Sequence, residues 1–105
     1  MDTLLVMTNC PDEENANTIA LAVIEAGLAA CVNILPRVRS VYRWQGQVET
    51  ASEIPLYFKS TAANYPALES KIRQLHPYEL PEIIALPLSH GLPAYLNWVA
   101  AETIQ

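Results

Sequence analysis

Residues 30–60 constrain the fold more than any other stretch, because they predict two long β-strands joined by one tight turn. Gly46 supplies the positive φ that a hairpin turn needs in Trp44-Gln45-Gly46-Gln47. Apolar side chains alternate along the first arm at even positions, namely Val32, Ile34, Val38, Tyr42 and Trp44. Each predicted arm has about 12 or more residues, which is roughly 40 Å at about 3.3 Å per residue.

The apolar positions of the second arm are also even, and this sets the expected pairing. Pairing even with even positions requires a three-residue loop, or a one-residue bulge near the turn. That register places Arg43 opposite Glu49 and Arg39 opposite Glu53, which are favourable cross-strand charge pairs. Pro36 interrupts the first arm, so it is expected at an edge or a bulge.

A hairpin of this length predicts self-association. A chain of 105 residues is too short to cover it, and the tip carries the large apolar side chains of Tyr42 and Trp44. An isolated two-stranded ribbon is only marginally stable, and its edges invite pairing. We therefore expect the distal half to be buried against other copies of the chain. The alternative is a bent hairpin whose aromatic side chains fold back on their own domain.

The flanking segments predict the order β-α-β-β-α-β followed by a short C-terminal helix. Acidic residues after Pro11 indicate the start of the first helix, and Gly27 indicates its end. The second helix begins near Tyr65 and ends before His76-Pro77, because proline disfavours helix at the preceding residue. With right-handed crossovers this order predicts an α+β, ferredoxin-like sandwich with both main helices on one sheet face. The other face is expected to carry no helix of its own.

Composition narrows the class of protein. The 105 residues predict a single domain, 1–105, with one modest core. A net charge of −5 argues against a nucleic-acid partner. The sequence has no run of about 18 apolar residues, so it predicts no membrane span. Cys10 and Cys31 are too few for a disulfide framework. Since we find no export signal, we expect free thiols and a cytoplasmic location.

Five segments of the chain carry recognisable motifs. They are Ala29–Ile34, Ser40–Gly46, Glu53–Lys59, His76–Ile83 and Tyr95–Trp98. In this order they resemble the CutA family of divalent-cation tolerance proteins. The resemblance implies a ferredoxin-like fold and a homotrimer whose hairpins extend sheets between subunits, as in PII signal proteins. It also implies a link to tolerance of copper and other divalent cations, without a reaction.

The segment after the second helix contains the best candidates for metal ligands. His76, Glu79 and Glu82 place an imidazole and two carboxylates within seven residues, held by Pro77 and Pro81. Such a set could bind Cu2+ or another divalent cation, although no cofactor is required by the sequence. The alternative is a rigid helix-to-strand corner with no ligand.

The resemblance also implies a copper site that uses the position of His76. The other ligands would come from the positions of Leu75 and Thr8, which are not metal-binding residue types in this chain. Cys10 is a possible substitute, because it lies two residues after Thr8. Cys31 is expected to be a buried, inert thiol.

Basic and aromatic side chains on the hairpin suggest a second kind of site. One interpretation is that they pair with Glu49, Glu53 and acids of a neighbouring subunit. The other is that they form an anion-binding cleft between subunits. The candidate residues of that cleft are Arg39, Arg43, Trp44, Tyr57, Lys59 and Tyr78.

We therefore favour a trimeric, non-enzymatic protein of divalent-metal tolerance that binds metal weakly in clefts between subunits. One alternative is a PII-like sensor of a small anionic metabolite, and another is a scaffold for an unknown protein partner. No nucleophile or acid–base pair stands out, so an enzyme is the weakest class.

Overall fold

The fold is described by a computed structural model that covers residues 2–104. Eight elements follow one another in the order β, α, β, β, β, α, β, α. They are β1 (Thr3–Cys10), α1 (Glu13–Glu25), β2 (Cys31–Ile34), β3 (Val38–Trp44), β4 (Gln47–Thr61), α2 (Tyr65–Leu75), β5 (Ile83–Pro87) and α3 (Pro93–Ala101). Within these residues, no helix is long and apolar enough to cross a membrane.

The strands form one antiparallel sheet in the order β2-β4-β1-β5, and β3 pairs with the distal part of β4. Strands β1 and β2, joined by α1, both pair antiparallel with β4. Strands β4 and β5, joined by α2, both pair antiparallel with β1. Each crossover therefore spans a strand of the other β-α-β unit, which confirms the ferredoxin-like prediction.

Local signals set the ends of α1 as predicted. The carboxylate of Asp12 accepts a hydrogen bond from the backbone N–H of Asn15 at 2.8 Å, which caps the first turn. Gly27 has φ +71°, and the N–H groups of Gly27 and Leu28 donate to the carbonyls of Ile24 and Val23. This is a Schellman motif, which satisfies carbonyls at the helix end.

The main core lies between the sheet and the two long helices. Even-numbered residues of β1 and β4 point toward α1 and α2, and α2 ends at Leu75, before Pro77, as predicted. The side chains with no exposed surface in this core are Val6, Cys10, Ala16, Ile19, Val23, Leu56, Phe58, Leu68 and Ile72.

The opposite face of the sheet, the open face, carries Leu5, Met7, Tyr57, Ile84 and Leu86, as the strand register requires. The prediction that this face has no helix of its own is wrong in part. Helix α3 contacts β1 and β4, and its buried Val99 lies outside the main core. The remaining part of the open face is uncovered, with Ile84 47% and Leu86 52% exposed.

The position of Cys31 in the sheet shows on which face α3 packs. Cys31 lies opposite Lys59 in the ladder, and its side chain is therefore on the face away from Phe58. Burial raises the pKa of the Tyr95 hydroxyl on α3, and the Cys31 thiol close to it acts in the same direction. Cys31 is therefore only partly buried, under α3, so the prediction of a buried thiol is wrong in part. It is a free thiol, as is the buried Cys10.

The hairpin register differs from the prediction. The turn has two residues, Gln45 at φ +50° and Gly46 at φ +79°, and β3 pairs with β4 so that Tyr42 faces Glu49. Arg43 then faces Val48. The predicted three-residue loop and the pair of Arg43 with Glu49 are therefore wrong.

The extra residue that shifts the pairing between the two arms of the hairpin lies at Pro36 and not near the turn. Ile34 of β2 faces Leu56, whereas Val38 of β3 faces Glu53, so the first arm has one more residue than the second between these pairs. This bulge, far from the turn, divides the first arm into two strands, while β4 continues for 15 residues. Arg39 consequently faces Ser52, and its predicted pairing with Glu53 is also wrong.

Candidate ligand cleft

A cleft of about 530 Å³ lies between the hairpin and the segment that joins α2 to β5. Strand β3 supplies one wall, and residues 78–82 supply the other. Glu53 of β4 and Asn9 of β1 lie between the walls. The lining residues are Asn9, Ser40, Val41, Tyr42, Arg43, Trp44, Glu53, Tyr78, Glu79, Leu80 and Glu82.

His76 fixes the start of the second wall. Its Nε2 donates to the carbonyl of Asn9 at 2.7 Å, and its Nδ1 accepts from the backbone N–H of Tyr78 at 3.2 Å. Burial lowers the pKa of His76, while the Asn9 carbonyl and the Glu53 carboxylate act in the opposite direction. The neutral imidazole thus joins the end of α2 to the end of β1.

Thr8 holds the other end of the same wall. Its hydroxyl donates to the carbonyl of Glu82 at 2.6 Å, and the side-chain amide of Asn9 approaches the Glu82 carboxylate at 3.5 Å. With the bonds of His76, these contacts tie residues 76–82 to one strand. The wall is therefore rigidly positioned although it has no regular secondary structure.

Glu53 is the functional candidate that sequence reasoning missed. It is only 7% exposed, and its Oε2 accepts a hydrogen bond from the hydroxyl of Tyr78 at 2.9 Å. Burial and the Glu53 carboxylate raise the pKa of Tyr78, so its hydroxyl stays protonated and donates. The predicted register assigned Glu53 to Arg39. Recognising that Pro36 shifts the parity would have separated the two residues.

The predicted metal ligands are only partly brought together. Glu79 and Glu82 line the cleft, while both nitrogens of His76 already have partners in the fold. In the part of the chain that the structure describes, no three His, Cys, Asp or Glu side chains are grouped so that they could hold a metal ion. Cys10 faces the main core, where burial, Asp12 and Glu53 raise the pKa of its thiol to about 11.

The predicted anion-binding residues separate into two groups. Arg43, Trp44 and Tyr78 line the cleft. Lys59 and Tyr57 lie on the open face instead, where the ammonium group of Lys59 donates to the side chain of Asn33. Arg39 lies on β3 opposite Ser52 and is not among the residues that line the cleft.

The charge of the cleft is therefore mainly negative. Its lining includes the carboxylates of Glu53, Glu79 and Glu82 and one guanidinium, that of Arg43. The guanidinium donates to the carbonyl of Gly46 at 3.2 Å, which keeps it near the hairpin turn. Such a lining suits a cation better than an anion.

Comparisons with known proteins agree with this fold. The family model of the CutA1 divalent ion tolerance protein matches residues 4–102. The divalent-cation tolerance protein CutA of Thermus thermophilus is 46% identical over 94% of this chain and 96% of its own length. The solved structure of the Thermus thermophilus protein superposes with a TM-score of 0.94, over 96% of this chain and 98% of the other.

Two other relatives show the breadth of the family. The mouse protein CutA is 48% identical over 86% of this chain, and this chain spans about half of the mouse protein, 51% of its length. The periplasmic divalent cation tolerance protein CutA of Archaeoglobus fulgidus is 30% identical, with a TM-score of 0.92 over 95% of this chain and 97% of the other. The names of the Thermus thermophilus and Archaeoglobus fulgidus proteins refer to cation tolerance and not to a reaction. The chain therefore belongs to the CutA1 family of divalent ion tolerance proteins.

Proposed function

We propose that this protein acts in tolerance of divalent cations, copper among them, as a non-enzymatic homotrimer. The observation that carries the trimer is the uncovered apolar surface of the hairpin. Val41 and Val48 lie at diagonal positions on one side of the hairpin, opposite Thr50 and Arg43, and are 64% and 67% exposed. With the uncovered part of the open face, they leave more apolar surface in water than a small monomer usually exposes.

The trimer can be tested at the hairpin with a matched control. We expect Val48→Lys to weaken self-association, because it places a charge in the apolar contact. Leu21 of α1 has a similar exposure, 63%, but lies on the opposite side of the core from the open face, so Leu21→Lys is the control. Sedimentation velocity should show dissociation of the Val48 variant alone. Equal behaviour of the two variants would contradict this role of the hairpin.

For the metal, we propose weak binding at the cleft carboxylates of Glu79 and Glu82, with His76 as a third ligand after a local rearrangement, since among residues 2–104 no three such side chains are grouped for a metal ion. Glu79 and Glu82 are exposed and share a wall that is tied down at both ends, which supports this choice. His76 would have to give up one of its two hydrogen bonds, which is consistent with a weak site. Tolerance would then follow from sequestration of the ion at high concentration.

Calorimetry with Cu(II) tests the metal proposal. We expect Glu79→Gln with Glu82→Gln to reduce copper binding strongly, and His76→Ala to reduce it while the trimer persists. His90→Ala is the control, because His90 is the other histidine and lies away from the cleft. Unchanged copper affinity in the Glu79, Glu82 and His76 variants would remove these ligands from consideration.

An anionic metabolite remains the second candidate function. Lys59 supports it, because its half-buried ammonium group lies on the open face and donates to the side chain of Asn33, with no ion pair among residues 2–104. A thermal shift with a panel of anionic metabolites, lost in Lys59→Ala, would favour this function. A panel without any shift would count against it.

We also propose a cytoplasmic location, since both cysteines are free and a reducing compartment keeps thiols unpaired. Cell fractionation tests this directly. Recovery of the protein from the periplasm would contradict it.

A further inference from the structure

Glu53 is a buried carboxylate whose hydrogen-bond partner is a neutral group. Tyr78 donates to Oε2, and among residues 2–104 no lysine or arginine forms an ion pair or hydrogen bond with Glu53. Burying a carboxylate without a cation is costly, and proteins usually compensate such a group with a positive charge. Because Glu53 lines the cleft, a positive group that entered the cleft could reach it.

The walls around Glu53 are suited to an organic cation. Tyr42, Trp44 and Tyr78 line the cleft, and aromatic faces attract ammonium and guanidinium groups. The volume of about 530 Å³ is within the usual range for a small-molecule site, and far larger than a single metal ion needs. Glu79 and Glu82 add negative charge at the exposed rim.

We propose that this cleft binds an ammonium or guanidinium group attached to an apolar body, and that Glu53 is the residue that recognises it. The group can come from a free amine or from a lysine or arginine of a second copy of the chain. Both sources require the same chemistry. This inference goes beyond divalent-cation tolerance, since it does not depend on a bound metal.

The free-amine source is tested by titrating the full chain with phenethylammonium and, as a matched anion, 3-phenylpropionate. The indole N–H signals of the two tryptophans are separate reporters in NMR, because Trp44 lines the cleft and Trp98 lies on α3. We expect phenethylammonium to shift the Trp44 signal and not the Trp98 signal. The phenylpropionate should shift neither.

Glu53→Gln should weaken phenethylammonium binding about tenfold or more, because it removes the charge and keeps an oxygen for Tyr78. Glu49→Gln is the control, since it removes one charge from the same strand outside the lining of the cleft. If a second copy supplies the cation, Glu53→Gln should instead weaken self-association about tenfold relative to Glu49→Gln in sedimentation velocity.

The proposal is overturned if neither amine binding nor self-association distinguishes Glu53→Gln from Glu49→Gln. It is also overturned if the phenylpropionate binds the cleft as well as phenethylammonium does. This second comparison uses the unmodified chain, so binding of the anion overturns the proposal even if a variant does not fold. Copper calorimetry on the same samples reports separately on the metal proposal.

Discussion

The two ends of strand β4 contrast sharply. Near its C-terminal end Phe58 has no exposed surface and packs under α1 and α2, whereas near the hairpin turn Val48 is 67% exposed. One continuous strand therefore runs from a completed core into an uncovered ribbon. The first end holds the single chain together, and the second end contains the surfaces available for binding.

The largest expected effect is a difference in the free energy of unfolding between substitutions at the two ends of β4. Phe58→Ala should lower the free energy of unfolding by about 3–5 kcal/mol, because it leaves a cavity in the core. Val48→Ala should lower it by less, about 1 kcal/mol, because Val48 is exposed in its own chain and contributes only to the contact between copies. Urea denaturation at one fixed chain concentration measures both. Similar losses would mean that the hairpin end is packed as tightly as the core.

Two glycines extend the comparison of packed and uncovered regions, because the space around them differs. Gly27 and Gly46 both have positive φ, so alanine at either position should cost about 1–2 kcal/mol of backbone strain. At Gly27 the added methyl group would also collide with Cγ2 of Ile104, whereas at Gly46 it would meet open space. Thermal unfolding should therefore show the larger loss for Gly27→Ala. A larger loss for Gly46→Ala would contradict the contrast in packing.

Much of the core and of the helices around it could be predicted from the sequence, since the signals there are local. Gly27 and Pro77 marked helix ends, and the alternating or helical spacing of apolar residues marked the core. The hairpin register was predicted wrongly, because the parity change was expected near the turn, whereas it occurs between β2 and β3 at Pro36, where an edge or a bulge was expected. Because of that error, Glu53 was predicted to face an arginine. Its hydrogen-bond partner is instead Tyr78, which lies 25 residues away in the chain.

The candidate site was predicted only in part for a related reason. Glu79, Glu82, Arg43, Trp44 and Tyr78 do line one cleft. Residue spacing predicts which side chains are neighbours along one element, but the cleft joins a hairpin to a distant corner. The hydrogen bonds that position that corner are tertiary contacts with no signal in the local sequence.

The smallest expected effect is a dependence on pH. Burial lowers the pKa of His76 from its ordinary value of 6.5, so the unfolded chain binds the proton more readily. The free energy of unfolding should therefore fall as the pH drops below about 6.5. His76→Gln should reduce this slope, and His90→Gln, at an exposed position, should not. Equal slopes in both variants would contradict the buried, neutral state of His76.

The central claim is that identical copies of the chain complete the uncovered end. Sedimentation equilibrium of the full chain at low micromolar concentration tests it most directly. We predict a particle of three times the chain mass of 11.6 kDa. A folded, stable particle of 11.6 kDa at that concentration would contradict the claim.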